Sequence, residues 1–331
     1  MGTLGIVVDD VHRSFGTVHA VRGMSLEAEV GNVTGLVGPN GAGKTTLMLM
    51  LASLLAPESG SIRVDGVDPV AEPARARAAI GWMPDALGAW PSLTARETLA
   101  MTGRLYGASK QDAASRATAL LERVDLTTLA DAPARVLSRG QKQRLGLARA
   151  LVHDPRVLLL DEPASGLDPQ ARIELRGMLR GFAAEGRTVL ISSHVLSELE
   201  EVVDTAVFVE AGATVAADRV AAAAQTSRAW RLRIAGAQAE TERERVASVL
   251  GTAAQVDRQD ILVTFAGERA AADALRLLVQ AGLPVVEFAP AVGSLEHAFL
   301  DLRQNGTPPP GSPGSSAAPA APTAPTEGDA S

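Results

Sequence analysis

One short segment near the N-terminus constrains the fold of this chain more than any other. Residues 38–46 read G-P-N-G-A-G-K-T-T, a glycine-rich stretch that fits the pattern G-x-x-x-x-G-K-T. Apolar residues precede it at 35–37 and follow it at 47–51, as expected for a buried strand before the loop and a packed helix after it. This strand–loop–helix context is what the pattern requires, and it predicts a phosphate-binding loop.

The residue types in this phosphate-binding loop suit phosphate oxygens. Glycines let successive N–H groups point at an anion without a clash from Cβ, and the helix that begins near Lys44 directs its positive end there. Lys44 adds a point charge that stabilises the β- and γ-phosphates during transfer, and the Thr45 hydroxyl can ligate Mg²⁺. The predicted nucleotide-binding residues of this loop are Gly38, Pro39, Asn40, Gly41, Ala42, Gly43, Lys44, Thr45 and Thr46.

The composition limits the other tasks that the chain can perform. Its 331 residues, 46% of them hydrophobic, suffice for one large domain and a small one. No apolar run approaches the roughly 18–20 residues that span a bilayer, and residues 1–5 lack the features of a secretion signal. The absence of cysteine excludes disulfides and fits a reducing compartment, and the net charge of −7 argues against nucleic acid as a partner.

The hydrophobic pattern of residues 1–225 predicts an α/β domain. Alternating apolar residues near the N-terminus predict strands, whereas residues 92–150 are typical of helices, one of them opened by a capping box at Thr94 and Glu97. Short apolar runs at 157–160 and 188–192 predict central strands of a sheet. Strands that alternate with helices favour a parallel sheet.

A second compact pattern follows a shift in composition near residues 221–225. Residues 226–303 predict strands and helices in the order β-α-β-β-α-β, which is typical of a ferredoxin-like α+β domain, and a closing helix at 294–303. Residues 304–331 are rich in Pro, Ala, Ser and Gly and lack large apolar side chains, so we expect a disordered tail there.

A pair of carboxylates ends the predicted strand at 157–160. Ligands of open α/β sheets bind beyond the carboxyl ends of the strands. Asp161 is therefore placed to hold Mg²⁺, and Glu162 to orient or deprotonate a water that attacks the γ-phosphate. An acidic surface loop is the alternative, but the phosphate-binding loop in the same chain favours the catalytic interpretation.

Together with further segments, these features resemble the nucleotide-binding subunits of ATP-binding-cassette (ABC) transporters. Residues 137–144, L-S-R-G-Q-K-Q-R, resemble the signature segment of that family, and residues 165–168, S-G-L-D, resemble its D-loop. His194 resembles its switch histidine, and Phe15 falls where the family places an aromatic ring that stacks on adenine. The resemblance covers residues 4–225. It implies an ATP hydrolase with a P-loop NTPase fold, built from a parallel core sheet, an antiparallel β subdomain and a helical subdomain.

The resemblance also implies that two subunits face each other head to tail. Each ATP then lies between the phosphate-binding loop of one subunit and the signature segment of the other, so the partner is a second copy or a paralogous ATPase subunit. His194 is expected to contact the γ-phosphate. In the signature and D-loop segments, the residues expected to contact nucleotide are Ser138, Gly140, Gln141 and Asp168. The alternatives are a helix cap for Asp168, a place in the core for Phe15 and a structural role for His194; the family resemblance favours the nucleotide contacts for Phe15 and His194.

Two positions depart from the family pattern. Asp85 stands where the family has a glutamine; it cannot donate an amide hydrogen bond, but it can ligate Mg²⁺ directly or through water. Asp85 is therefore a candidate for both nucleotide and metal binding. Arg139 replaces the first glycine of the signature pair, and the sequence leaves open whether its side chain points to solvent or adds charge near the γ-phosphate.

The C-terminal region narrows the resemblance to one subfamily. Its β-α-β-β-α-β pattern and residues 294–300 resemble the extension of multidrug- and antibiotic-resistance-type ABC exporter ATPases, whose membrane subunits are separate polypeptides. This implies a motor at the cytoplasmic face of the cell membrane. It would power export of a drug-like or other small hydrophobic substrate through a multi-span permease. The alternative is a soluble regulatory ATPase that uses ATP-gated dimerisation as a switch.

A surface for docking such a permease is expected near Asp85. We expect a cleft there that is lined by apolar and aromatic side chains. The candidate docking residues are Leu87, Trp90, Leu93 and Tyr106.

Overall fold

Three β-sheets organise the chain. The computed structural model describes residues 2–85, 90–195, 199–216, 219–220, 227–236 and 239–292. The strands are β1 (Leu4–Phe15), β2 (Val18–Glu29), β3 (Val33–Val37), β4 (Ser59–Val64), β5 (Ile80–Met83), β6 (Val157–Asp161), β7 (Thr188–Ser193), β8 (Thr205–Glu210), β9 (Ala213–Thr214), β10 (Arg228–Ile234), β11 (Ala254–Asp257), β12 (Asp260–Phe265) and β13 (Val285–Pro290).

Helices with both ends among the described residues lie between these strands. They are α1 (Lys44–Leu51), α2 (Pro73–Ala79), α3 (Ala95–Leu105), α4 (Lys110–Arg123), α5 (Arg139–Leu151), α6 (Pro169–Ala184), α7 (Ala239–Leu250) and α8 (Gly267–Gln280). Short 3₁₀ turns occupy Thr127–Leu129 and Ala134–Val136. None of the helices in the described part of the chain is both long and apolar enough to cross a membrane.

The largest sheet has the strand order β5-β6-β7-β3-β8-β9. Its strands run parallel from β5 to β8. Every residue of β3 and β6 is buried, which explains why apolar residues dominate both sequences. The prediction of a parallel core sheet is wrong at one edge, because β9 pairs with β8 in the antiparallel sense. Ala211 and Gly212 both have positive φ, 47° and 86°, a tight-turn geometry that reverses the chain at once.

A three-stranded antiparallel sheet of order β2-β1-β4 covers α1. The alternating apolar residues of the N-terminal region point into one core with this helix, as shown by the buried Ile6, Val8 and Met24 beside Leu47 and Met48. The sequence prediction of strands in this region is confirmed. The core fixes the orientation of α1 and therefore of the loop that precedes it.

Helices α3, α4 and α5 form a separate cluster around buried Leu99, Leu121 and Leu145. The predicted capping box opens α3: the Glu97 N–H donates to Thr94 Oγ1 over 3.1 Å, and the Thr94 N–H donates to Glu97 Oε2 over 2.8 Å. This cluster carries the start of α5, where the signature segment lies.

The C-terminal residues form a four-stranded antiparallel sheet of order β11-β12-β10-β13. Leu232 and Ile261 of this sheet pack with Val246 of α7 and Leu278 of α8, and all four are buried. The order of strands and helices predicted up to β13 is present in the described residues. The predicted closing helix at 294–303 and the tail at 304–331 lie outside them.

Candidate nucleotide-binding and hydrolysis site

The phosphate-binding loop connects β3 to α1 and needs its glycines for two different reasons. A Cβ at Gly38 would lie 2.3 Å from the Val209 carbonyl oxygen, and one at Gly43 would lie 2.4 Å from that of Ala20. Gly41 has φ +82° but open space around it. Neighbouring backbone therefore excludes side chains at two positions, whereas the third glycine leaves its outer face free for a ligand.

Lys44 begins α1 and is 6% exposed. Its ammonium donates hydrogen bonds to the carbonyl oxygens of Gly38 and Pro39 over 2.7 and 3.2 Å, and lies 3.7 Å from Glu162 Oε1. Burial lowers the pKa of Lys44, while the nearby carboxylates of Glu162 and Asp161 oppose this shift. The cation is thus held between the loop and Glu162.

Asp161, the last residue of β6, is 2% exposed and has both carboxylate oxygens engaged. Thr45 Oγ1 donates to Asp161 Oδ2 over 2.9 Å, and Ser192 Oγ donates to Asp161 Oδ1. The two predicted metal ligands, Thr45 and Asp161, are therefore adjacent. A hydroxyl and a carboxylate are hard oxygen donors, so this pair fits Mg²⁺.

Glu162 adopts a backbone conformation that is rare for its residue type, with φ +50°. Such a conformation costs of order 1–3 kcal/mol and persists where the surroundings enforce it. Here the Glu162 N–H donates to Ser192 Oγ over 3.0 Å. His194 Nδ1 lies 2.9 Å from Glu162 Oε2, and because an ionised carboxylate only accepts, this nitrogen is the donor.

Ser138 and Asp168 are the N-cap residues that directly precede α5 and α6. Ser138 Oγ accepts from the Gln141 N–H over 3.3 Å and Gln141 Oε1 accepts from the Ser138 N–H over 2.9 Å, which is a capping box for α5. Asp168 Oδ1 accepts from the Ala171 N–H over 2.9 Å and caps α6. Within the described residues, none of these hydrogen bonds reaches the phosphate-binding loop.

Comparison with known proteins agrees with this geometry. The family model described as ABC transporter matches residues 21–165. The Nod factor export ATP-binding protein I of Paraburkholderia xenovorans is 42% identical over 217 residues, which are 65% of this chain and 71% of that protein. The chain belongs to the ABC transporter ATP-binding proteins. The daunorubicin resistance ATP-binding protein DrrA3 of Streptomyces coeruleorubidus is also similar, at 38% identity over 216 residues, 65% of this chain and 70% of the relative.

Solved structures support the fold of this ABC protein. The structure of cbiO1 from Clostridium perfringens, described as part of the ABC transporter complex cbiONQ, matches with a TM-score of 0.59 and 27% identity. The match covers 65% of this chain and 88% of that one. As a member of the family, this ABC protein binds ATP and is an ATP hydrolase.

Sequence reasoning missed Ser192, which supports both acids of this ABC ATPase at once. β6 and β7 are parallel neighbours in which Asp161 stands opposite Ser192. The buried Ser192 hydroxyl donates to the carboxylate of Asp161 and accepts the N–H of Glu162. The sequence does show a hydroxyl at the carboxyl end of β7. Identifying it as the partner of the acids required knowing that β7 lies next to β6.

Replacing Ser192 with Ala is expected to lower kcat for ATP hydrolysis by about tenfold. The change removes one hydrogen bond from Asp161 and leaves the Glu162 N–H without its acceptor, so the strained conformation of Glu162 loses support. Steady-state phosphate release measures kcat, and Ser109→Ala is the matched control because it removes a helix cap in α4. Equal losses of kcat in the two variants would contradict a specific role for Ser192.

The exposed side chain of Arg139 makes a contact that the sequence did not indicate. Its guanidinium donates to the carbonyl oxygen of Ser165 over 3.1 Å and to Ser165 Oγ over 2.8 Å. Its guanidinium is therefore held beside the D-loop segment of its own chain, while the side chain remains exposed to solvent.

Phe15 and Asp85 both lie at the surface. Phe15 ends β1 and is 48% exposed, which excludes a core role and leaves its ring accessible; the Arg13 guanidinium lies 5.1 Å from the ring centroid. Asp85 follows β5 and is exposed. Among the described residues, Asp85 forms no hydrogen bond or ion pair with Thr45 or Asp161, so its metal-binding role stays a prediction.

Proposed function

We propose that this chain is the ATP-hydrolysing motor of an ABC exporter, working at the cytoplasmic face of the cell membrane. The observation that carries the proposal is the cluster at the carboxyl ends of β3, β6 and β7. There Thr45 bonds to Asp161, and Glu162 lies within ion-pairing distance of Lys44 and hydrogen-bonding distance of His194. The cluster has a cation for phosphates, oxygen ligands for a metal and a carboxylate for a water.

Each residue of this cluster has a distinct proposed role. Lys44 binds the β- and γ-phosphates of ATP, and Thr45 and Asp161 hold Mg²⁺, with Asp85 as a further oxygen ligand. When bound, Mg²⁺ neutralises the negative charge of the phosphates. Glu162 orients the attacking water and accepts its proton, and His194 holds the carboxylate of Glu162 in place and contacts the γ-phosphate.

A second chain would complete the site. The residues expected to contact the partner's nucleotide are Ser138, Gly140, Gln141 and Asp168. Ser138 is exposed at the N-terminal end of α5, where helix N–H groups favour an anion, which supports this role. Moving an open–closed equilibrium from 1:99 to 99:1 needs roughly 5.5 kcal/mol of differential binding. A few charge-assisted hydrogen bonds at ~1.5–3 kcal/mol each supply that amount. ATP then joins the two chains, and hydrolysis separates them.

The relatives support an export role with a small hydrophobic or drug-like substrate. Two of them are named for Nod factor export and daunorubicin resistance. We infer three regions: an ABC domain at 1–225, an accessory domain at 226–303 and a tail at 304–331. The strand order β11-β12-β10-β13 and the two helices support a ferredoxin-like accessory domain, whose task we take to be stabilisation or dimerisation.

Co-purification from native membranes tests the export role. A tagged Glu162→Gln variant with ATP should bring down a multi-span membrane protein in stoichiometric amount from detergent-solubilised membranes. Recovery of soluble partners only, or of none, would favour the regulatory ATPase instead.

Trp90 provides the variant for this experiment. Its side chain is 48% exposed. The candidate docking surface also includes Leu93 and Tyr106. Tyr106 is exposed, and its ring stacks on the ring of His153 with 3.8 Å between the centroids. Leu87 lies outside the described residues. Trp90→Ala is expected to reduce recovery of the membrane protein at least fivefold and to leave ATP binding intact, because exposed aromatic side chains are typical anchors of interfaces. Unchanged recovery would place the docking surface elsewhere.

A further inference from the structure

The side chain of Arg139 bonds to a residue outside its own helix. Arg139 is the first residue of α5, where a positive side chain is unfavourable because it opposes the helix dipole. The guanidinium instead reaches Ser165, 26 positions away, with one hydrogen bond to the carbonyl oxygen and one to the hydroxyl. The favourable contact that compensates this placement therefore lies in the D-loop segment.

The turn at Ser165 and Gly166 is shaped to receive this side chain. Gly166 has φ +70°, and a Cβ built there would lie 2.4 Å from Arg139 Nε, so the guanidinium lies directly over a residue that lacks a side chain. Gly140 also lies close to this segment, since a Cβ built there would be 3.4 Å from Leu167 Cδ2. The start of α5 therefore lies against the D-loop segment.

The same turn is hydrogen-bonded to the catalytic carboxylate's backbone. The Ser165 N–H donates to the Glu162 carbonyl oxygen over 3.0 Å. A continuous set of hydrogen bonds therefore joins Arg139 to Ser165 and Ser165 to Glu162. On the proposed function, Glu162 acts on ATP bound by its own chain, whereas Ser138, beside Arg139, acts on ATP bound by the partner.

We propose that Arg139 is a positioning residue that fixes these two half-sites of one chain relative to each other. This inference rests on the proposed function, since it assigns the signature segment to the partner's nucleotide. With Arg139 in place, a chain enters the dimer with both surfaces already arranged, so less ATP binding energy is needed to order them. The arginine therefore acts on dimerisation through Ser165 rather than by touching a phosphate.

A double-mutant cycle in the Glu162→Gln background tests this role. Light scattering gives the ATP concentration that produces half-maximal dimer for the parent and for three variants: Arg139→Ala, Ser165→Ala and both together. We expect a rise of about tenfold for Arg139→Ala, because its charge-assisted contacts are lost, and about threefold for Ser165→Ala, which keeps the carbonyl oxygen. The double variant should match Arg139→Ala alone, because the two side chains act through one contact.

The controls separate this contact from other causes. Arg135→Ala removes an exposed arginine four residues earlier and should change the ATP requirement less than twofold. The melting temperature of Arg139→Ala should stay within about 2 °C, since relief of the helix dipole offsets the lost hydrogen bonds. Independent, multiplying effects of the two substitutions, or no effect of Arg139→Ala, would overturn the proposal. Failure of the parent to dimerise at all would instead overturn the proposed function.

Discussion

Glu162→Gln is expected to lower the rate of ATP hydrolysis at least 100-fold while leaving ATP affinity within about threefold. Glutamine keeps the size of the side chain and an oxygen that accepts from His194, whose Nδ1 lies 2.9 Å from Glu162 Oε2. It cannot take up a proton from the attacking water, and general-base catalysis contributes roughly 10²–10⁴ in rate. Phosphate release measures hydrolysis, and calorimetric titration measures binding.

Glu122 provides the matched control for this substitution. It is an exposed glutamate of α4, outside the site, so Glu122→Gln changes the same chemical group without touching Lys44 or His194. Its hydrolysis rate should equal that of the unmodified chain. A Glu162→Gln variant that hydrolyses ATP within tenfold of the unmodified rate would assign water activation to another group.

Lys44→Met is expected to weaken ATP binding by about 100-fold, equivalent to about 2.7 kcal/mol. The ammonium lies at the mouth of the phosphate-binding loop, held by the carbonyl oxygens of Gly38 and Pro39. Its removal takes away the cation that faces the phosphates and leaves Glu162 and Asp161 to repel them. Methionine fills a similar volume, so the buried position is not left as a cavity.

Lys110 is a suitable control for this prediction. It is an exposed lysine at the start of α4, and Lys110→Met makes the same chemical change far along the chain from the loop. Calorimetric titration with ATP should give unchanged affinity for this control. If Lys44→Met also bound ATP within threefold of the unmodified chain, the ammonium would not be a phosphate ligand.

Features that depend on local sequence were predictable. The phosphate-binding loop requires glycines at fixed spacing, and the capping box of Thr94 and Glu97 needs two residues three apart. The strands β3 and β6 follow from short apolar runs because both faces of a central parallel strand are buried. Asp161 was expected near Thr45 because β3 and β6 are parallel strands whose carboxyl ends lie at the same edge of the sheet.

Features that depend on which particular strands or turns are neighbours were not predictable. The role of Ser192 requires knowing that β7 lies beside β6, and the partner of Arg139 requires the position of a turn 26 residues away. The antiparallel strand β9 depends on positive φ at Ala211, a conformation that alanine does not favour and that its sequence does not indicate. Asp168 fits both a cap and a nucleotide ligand by type, and only the bond to Ala171 shows its role in one chain.

The central claim is that ATP joins two chains by completing half-sites that one chain keeps apart. Multi-angle light scattering of the Glu162→Gln variant tests it most directly, because ATP binds and persists when water activation fails. With saturating ATP and Mg²⁺ we predict the mass of two chains, and with ATP omitted the mass of one. A mass of one chain under both conditions would contradict the account.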